Sequence, residues 1–260
     1  MSDSPFLSRL ITNLSSVIES QHAVLEMISA KMSDCLVAGG LVHLFGSGHS
    51  VMPTLDAYPR YGSFVGLHPV NDPRLMWHNV LGPGGVRELL WLERTEGYIA
   101  RFLSHEMLRK GDVMIVFSHG GRNAAPIEAA IYAKDHGLWV VAVTSKATTS
   151  LSRPHSSGKH LAEVADAVID TLVPVEDASV PVPGWGRPVG GASTIVAMAC
   201  TQELIARTAL LLASRGVTLP TFVSPTVPGA SVASNDEVFE AHRQLMTRVQ
   251  LDWAQSTKPE

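Results

Sequence analysis

Two short turns carry the residues that could do chemistry. Residues 41–50 read LVHLFGSGHS: an apolar run suited to a buried strand passes into Gly46, Ser47, Gly48, His49 and Ser50. A strand that ends in a glycine-rich, hydroxyl-bearing turn aims backbone N–H groups at one spot, and the positive end of a following helix reinforces them. Such a turn holds a phosphate or another anion without a formal positive charge. A second turn, Ser118, His119, Gly120, Gly121, Arg122 and Asn123, follows the apolar run VMIVF. Taken alone, its two glycines are equally explained by the backbone geometry of a turn. If the two strands are neighbours in one parallel sheet, both turns stand at its carboxyl edge, where α/β proteins bind ligands. Ser47, Ser50, Ser118 and the nearby amides then ring one anion, and Thr144 and Ser145, ending the next strand, add a third wall.

The elements that must position these turns follow from the apolar pattern. Ser4 and Pro5 read as a helix start, and Leu10, Leu14, Val17, Val24, Ile28 and Met32 recur at helical spacing. A long helix over about 5–34 is predicted, covering the sheet or packing on a second subunit. Strands are predicted at 41–45 and 63–67, with a helix between them, at 51–58, that Pro53 keeps short. Residues 68–85 are rich in Pro and Gly and predict a long irregular stretch. One helix is expected over 86–103. Residues 113–144 are the clearest strand–helix–strand unit, with a helix from 126 to about 136 closed by Gly137, and a right-handed parallel crossover is expected. The continuous apolar runs VMIVF and LWVVAV suit a parallel sheet covered on both faces. A last strand is expected at 165–170, a Pro/Gly-rich loop at 173–191, a long apolar helix at 192–214 and a polar helical tail at about 235–250. One α/β domain spanning 1–260 is the simplest reading.

The 260 residues are 45% hydrophobic and 17% charged, with a net charge of -4. That composition argues for a globular protein and against general nucleic-acid binding, which needs a basic footprint. Cys35 and Cys200 are the only cysteines, so there is neither a disulfide framework nor a metal-ligand cluster. A reducing, cytoplasmic location is expected. The N-terminal residues lack the pattern of a secretory signal, and no uninterrupted apolar run reaches the length of a membrane span. The first turn lacks the third glycine of a dinucleotide fingerprint, and Ser157-Gly158-Lys159-His160 lacks the rest of a P-loop. No cofactor and no metal are expected.

On these motifs the chain resembles the sugar isomerase (SIS) domain family of phosphosugar-binding proteins. The likeness rests on GSGHS and on GDVMIVFSHGGRNAAPIEAAIYAKDHGLWVVAVTS. Within the family it is most similar to a single-domain group sharing LERTEGY (92–98), SRPHSSGK (152–159) and VGGASTI (189–195, including Ser193). The resemblance covers roughly residues 35–230. It implies an α/β three-layer sandwich: a five-stranded parallel sheet of flavodoxin-like topology flanked by helices. It also implies a homodimer or higher homo-oligomer, and a sugar-phosphate site built from the serine turns. Two departures stand out. The second turn of the family reads Ser-x-Ser-Gly, and here Gly120 removes one hydroxyl, so Arg122 compensates by charge or the anion differs, for example a sulfonate. Acidic residues usual after the first turn are reduced here to Asp56.

Aldose–ketose isomerisation needs a base that moves a proton between adjacent carbons through an enediol, and an acid–base pair that opens the ring. Glu93 and Glu96 are candidates for the base, the alternative being a solvated helix face shared with Arg94. Glu203, on a late apolar helix, is a second candidate, the alternative being an ion pair with Arg207 one turn on. His49 and His119 lie inside the turns and could donate to the anion or shuttle a proton. His68 and His78 lie in the irregular stretch and could reach a site from a neighbouring subunit, whereas His43 reads as structural. Arg187 is a candidate sugar or anion contact or a surface residue. An isomerase is the first expectation. A lyase or etherase acting on amino-sugar phosphates, as the family also provides, and a non-catalytic phosphosugar sensor are the alternatives.

Overall fold

The computed structural model describes residues 4–76 and 85–256. Helix α1 (Pro5–Val37) opens the chain, with Pro5 in its first turn, and buries Val17, Leu25, Ile28, Met32 and Leu36 along one stripe. Strand β1 (Val42–Gly46), α2 (Met52–Ala57) and β2 (Leu67–Val70) follow. Then come α3 (Val86–Leu92), α4 (Tyr98–Leu103), β3 (Val113–Phe117), α5 (Ala124–Asp135) and β4 (Trp139–Thr144). The chain continues through α6 (Leu161–Val164), β5 (Ala167–Asp170), the short pair β6 (Ala178–Val180) and β7 (Val189–Gly191), α7 (Ser193–Ser214) and α8 (Asp236–Ser256).

Five strands form one parallel sheet in the order β2-β1-β3-β4-β5, the flavodoxin-like order. Alternation along each strand divides the core in two. Val42, Leu44, Val113, Ile115, Val141 and Val143 face α1, α7 and α8, while Phe45, Met114, Val116, Val140 and Ala142 face α4 and α5. Every residue of β1 and β3 is buried, as continuous apolar strands require when both faces are covered. Helix α1 lies against α7 and β5, so it covers the sheet. Helix α7 is long and apolar enough to cross a membrane by length and composition, but it buries Val196, Cys200, Leu204 and Ile205 in the core.

Several boundaries differ from the sequence expectation, each for a visible reason. The second strand is 67–70, not 63–67. Residues 63–65 bond instead to the chain near 220–222, through Val65 N–H to Pro220 O (3.0 Å) and Phe222 N–H to Ser63 O (2.9 Å). Pro69 is tolerated in β2 because that strand is an edge. The single helix expected over 86–103 is two, separated by residues 93–97. Glu128 accepts the N–H groups of Gly97 (2.6 Å) and Ile99 (3.3 Å), starting α4 afresh. The 173–191 loop contains the antiparallel pair β6 and β7. The terminal helices run further than 34 and 250, to Val37 and Ser256.

Candidate functional site

Strands β1 and β3 are hydrogen-bonded neighbours with Gly46 opposite Phe117, so Ser47 and Ser118 leave the sheet side by side. The connection from β1 leads to one edge of the sheet and that from β3 to the other. The two turns therefore flank the switch point, the crevice where such sheets place ligands.

The first turn is compact because Gly46 has no side chain. A Cβ there would meet the Ser50 carbonyl oxygen at 2.0 Å. The chain doubles back on Gly46 in a single 3-10 turn, His49–Val51. Gly48 adopts φ +60 and donates its N–H to Leu75 O at 2.8 Å. Ser47 and Ser50 are half-buried, and His49 is exposed at the top of the turn.

In the second turn Gly121 adopts φ +56, where a Cβ would lie 2.4 Å from His160 Cε1 and 2.9 Å from Thr144 Oγ1. Its N–H donates to Ser118 Oγ at 3.0 Å, which leaves the Ser118 hydroxyl proton available. The amides of Gly120, Arg122, Asn123 and Ala124 meet no protein acceptor among the described residues. A run of unpaired N–H groups opening a helix forms a concavity for an anion. Thr144 and Ser145 take a different place from the third wall expected of them. Both are fully buried, with Thr144 Oγ1 donating to His119 O (3.2 Å) and Ser145 Oγ to Val173 O (2.6 Å). They brace the turn from behind.

Glu93 joins the two turns. It caps the C-terminal end of α3 and is 7% exposed. Its Oε2 accepts from Ser47 Oγ at 3.1 Å and its Oε1 from Asn123 Nδ2 at 2.8 Å. Its carbonyl accepts from Ala125 N–H at 3.0 Å, fixing it to the start of α5. Burial raises its carboxyl above the usual glutamate range, opposed by the Arg94 charge and the Ser47 hydrogen bond. A buried carboxyl raised above its usual range suits a general base for carbon acids.

Two spaces adjoin this arrangement. Between Ser50, Ser118, His119, Thr171 and Ser193 lies a crevice of about 10 Å³, room for one water at most. The buried atoms His119 Nδ1 and Thr171 Oγ1 have no partner, and His119 Nε2 lies 3.3 Å from Val175 O. On the side of Asn123 and Ala124 lies a cavity of about 310 Å³ lined also by Arg94, Glu96, Arg122 and His155, the lower end of the range for small-molecule sites.

Other sequence candidates stand elsewhere. Glu203 is exposed and paired with Arg207 at 2.5 Å, ten residues along α7 from Ser193, or about 15 Å at the helical rise. The ion pair is the reading that fits it, because the polar face of α7 points away from the core that its apolar face fills. Glu96 is held by the N–H and hydroxyl of Ser156. Arg122 donates through Nε and Nη2 to Ser152. Arg187 is 82% exposed, 3.7 Å from Glu176. His68 lies in β2, with its Nδ1 2.9 Å from Nδ1 of His43. His78 lies outside the described residues. Among the described residues no group of three or more His, Cys, Asp or Glu side chains could hold a metal ion. The tie from Asn123 to Glu93 and the position of His155 were not foreseen, although NAAPIE and SRPHSSGK marked both segments.

The model of the SIS domain matches residues 5–145, more than half of the chain. The chain belongs to the SIS domain family. A UPF0309 protein of Listeria innocua is 30% identical over 226 residues, covering 86% of this chain and 90% of the relative. One of Geobacillus kaustophilus is 34% identical over 227 residues, covering 86% and 88%. Among solved structures, a phosphoheptose isomerase from Neisseria gonorrhoeae superposes with a TM-score of 0.52 at 15% identity, covering 78% of this chain and 94% of its own. One from Francisella tularensis gives 0.50 at 12%, with the same coverage. At such identities the likeness is one of SIS fold.

Proposed function

We propose that this SIS domain binds a phosphorylated or otherwise anionic sugar across the two serine turns and interconverts its aldose and ketose forms. The observation that carries the reading is Glu93, buried, raised above its usual range, and hydrogen-bonded to one residue from each turn. The anion sits on the free amides of Gly120, Arg122, Asn123 and Ala124, with the hydroxyls of Ser50 and Ser118 beside them and that of Ser47 turning its proton from Glu93 to the anion on binding. Glu93 takes the proton from C2 of the open-chain aldose and returns it to C1 of the enediol, while the proton of the C2 hydroxyl passes to the C1 oxygen, so the interconversion gains and loses none. His49, exposed above the first turn, assists ring opening. The SIS fold shared with the phosphoheptose isomerases supports the substrate class. The reading includes a cytoplasmic location and a homo-oligomer, and the exposed Leu7, Ile11 and Ile18 of α1 support the oligomer.

The test is proton exchange in heavy water with a panel of five- to seven-carbon aldose phosphates. Deuterium entering C2 together with interconversion, and lost in Glu93→Gln, supports the isomerase. One observation favours a sensor instead: the two hydrogen bonds of Glu93 also make it a strut between the turns. Tight binding with no exchange on any sugar of the panel would establish that role and refute catalysis.

A further inference from the structure

A separate cavity lies at the amino edge of the sheet, the end opposite the serine turns. Its volume is about 450 Å³, within the range of small-molecule sites. Its walls come from the loop that leads into β3, from the last turn of α5 and from the last turns of α8. Two aromatic surfaces line it. Tyr132 and His136 stack with ring centroids 4.1 Å apart, and Trp253 adds an indole from α8.

Besides His136, four residues of the lining carry a charge: Glu106, Arg109, Lys110 and Asp252. Arg109 and Asp252 answer each other at 3.0 Å, and the same guanidinium donates to Gly39 O at 3.1 Å and to Asp112 at 3.4 Å. Glu106 and Lys110 remain. Among the described residues neither side chain has a hydrogen bond or an ion pair, with the other or with any third group. The stem of Lys110 packs over Gly137, where a Cβ would lie 3.0 Å from Lys110 Cγ. Glu106 is half-buried, and burial raises its carboxyl above the usual glutamate range, opposed by the charges of His43 and His105. Withdrawing a carboxylate from water without a partner is costly. Two opposite charges that line one cavity and leave each other unpaired make room for a molecule that carries both.

We propose that this cavity binds a zwitterionic α-amino acid with an apolar or aromatic side chain. The ligand ammonium meets Glu106, its carboxylate meets Lys110, and its side chain lies against the Tyr132–His136 stack and Trp253. Aromatic faces also attract an ammonium group directly. A sugar phosphate does not suit the lining, because it brings no cation to Glu106. The inference is independent of the serine turns, which stand at the other edge of the sheet.

The test is calorimetric titration of the full chain with L-phenylalanine, L-tryptophan and L-leucine, each beside its decarboxylated amine and its deaminated acid. At least one amino acid is expected to bind about tenfold or more tighter than both of its single-charge analogues. In Glu106→Gln it loses its advantage over the acid, and in Lys110→Gln its advantage over the amine. The Trp253 indole N–H signal in a nitrogen-15 NMR spectrum, assigned with Trp253→Phe, is expected to move during the titration. Neither substituted side chain bonds the rest of the protein, so both variants are expected to melt with the parent. Absence of binding by all three amino acids overturns the inference. So does an amine or an acid that binds as tightly as its amino acid, or an affinity that survives both substitutions. A Trp253 signal that stays in place while heat is released puts the ligand elsewhere and overturns it as well. Sugar-phosphate affinity enters none of these outcomes, so the serine-turn reading is tested separately.

Discussion

Ser47 Oγ donates to Glu93 Oε2 across 3.1 Å, although 46 residues separate them in the chain. The first turn and the end of α3 are thereby one unit, and Asn123 adds the second turn to it at 2.8 Å. Replacing Glu93 with Gln keeps the shape and removes the proposed base. Deuterium exchange at C2 is expected to drop to background in Glu93→Gln, with sugar-phosphate affinity changed by less than about threefold. A variant that exchanges at a comparable rate moves the base elsewhere.

The same substitution has a signed effect on stability. A carboxyl raised on folding favours the folded state below the ordinary glutamate range, and that contribution is lost as pH rises through the raised value. Glu93 is raised by burial, so at neutral pH its ionised form opposes folding. Glu93→Gln is expected to melt at the same temperature as the parent or higher at pH 7, with the difference shrinking toward pH 4. Scanning calorimetry at both pH values reads this directly.

Arg94 acts on the proposed base. Its charge is the larger of the two influences that pull the Glu93 carboxyl down. If Glu93 is the base of the proposed isomerisation, kcat/KM of the parent is expected to fall as pH drops through the raised Glu93 value, because a protonated base is inactive. Arg94→Gln removes the opposing charge, so the acidic limb of the profile moves to higher pH. A limb that stays in place, or moves down, excludes Glu93 as the titrating group.

Gly46 tests the tight first turn. A methyl group there would meet a backbone oxygen at 2.0 Å, and backbone cannot step aside as a flexible side chain does. Gly46→Ala is expected to cost about 1–3 kcal/mol by urea denaturation, as overpacking does, and to weaken sugar-phosphate binding. Gly186→Ala, where a Cβ meets nothing within 4 Å and φ is not positive, serves as the comparison for a loop glycine remote from such a contact.

At the opposite end of the sheet, Asp112 binds together the starts of β1 and β3. It accepts from Leu41 N–H at 2.9 Å and His43 Nε2 at 3.1 Å, with Arg109 at 3.4 Å. Burial works against its ionisation, but the His43 hydrogen bond and charge, the Leu41 amide and Arg109 hold its carboxyl below the usual aspartate range. Breaking a buried pair by removing one partner costs about 3–5 kcal/mol, the loss expected for Asp112→Ala. Because the folded value is depressed, this stabilisation is complete above the ordinary aspartate range and disappears as pH falls through the folded value.

How far the sequence reveals this molecule depends on the range of the interactions. The strands β1, β3 and β4 and the turns that end them are local: an apolar run, then glycine and serine, fixes both the element and its exit. The break between α3 and α4 is not local, because it depends on Glu128, some thirty residues away, capping Gly97 and Ile99. Residues 63–65 were misread for the same reason, since their partners lie near 220–222. At the site, Ser47, Ser118 and Asn123 were legible as hydroxyl and amide groups in glycine turns. That Glu93 would face them rather than solvent was one of two open readings, because a Glu beside an Arg looks the same on a solvated helix. Thr144 and Ser145 carry the right chemistry at the right strand end, but their hydroxyls turn back onto the chain.

The most direct measurement is the calorimetric affinity of a sugar phosphate that cannot isomerise, D-glucitol 6-phosphate, for the parent and for Ser47→Ala/Ser118→Ala. Removing two hydroxyls that bond a charged group is expected to weaken binding by roughly a hundredfold to ten-thousandfold, at about 1.5–3 kcal/mol for each hydrogen bond to a charge, with a thermal melt confirming that the double variant is folded. Equal affinity in the two proteins would show that the paired turns do not hold the anion.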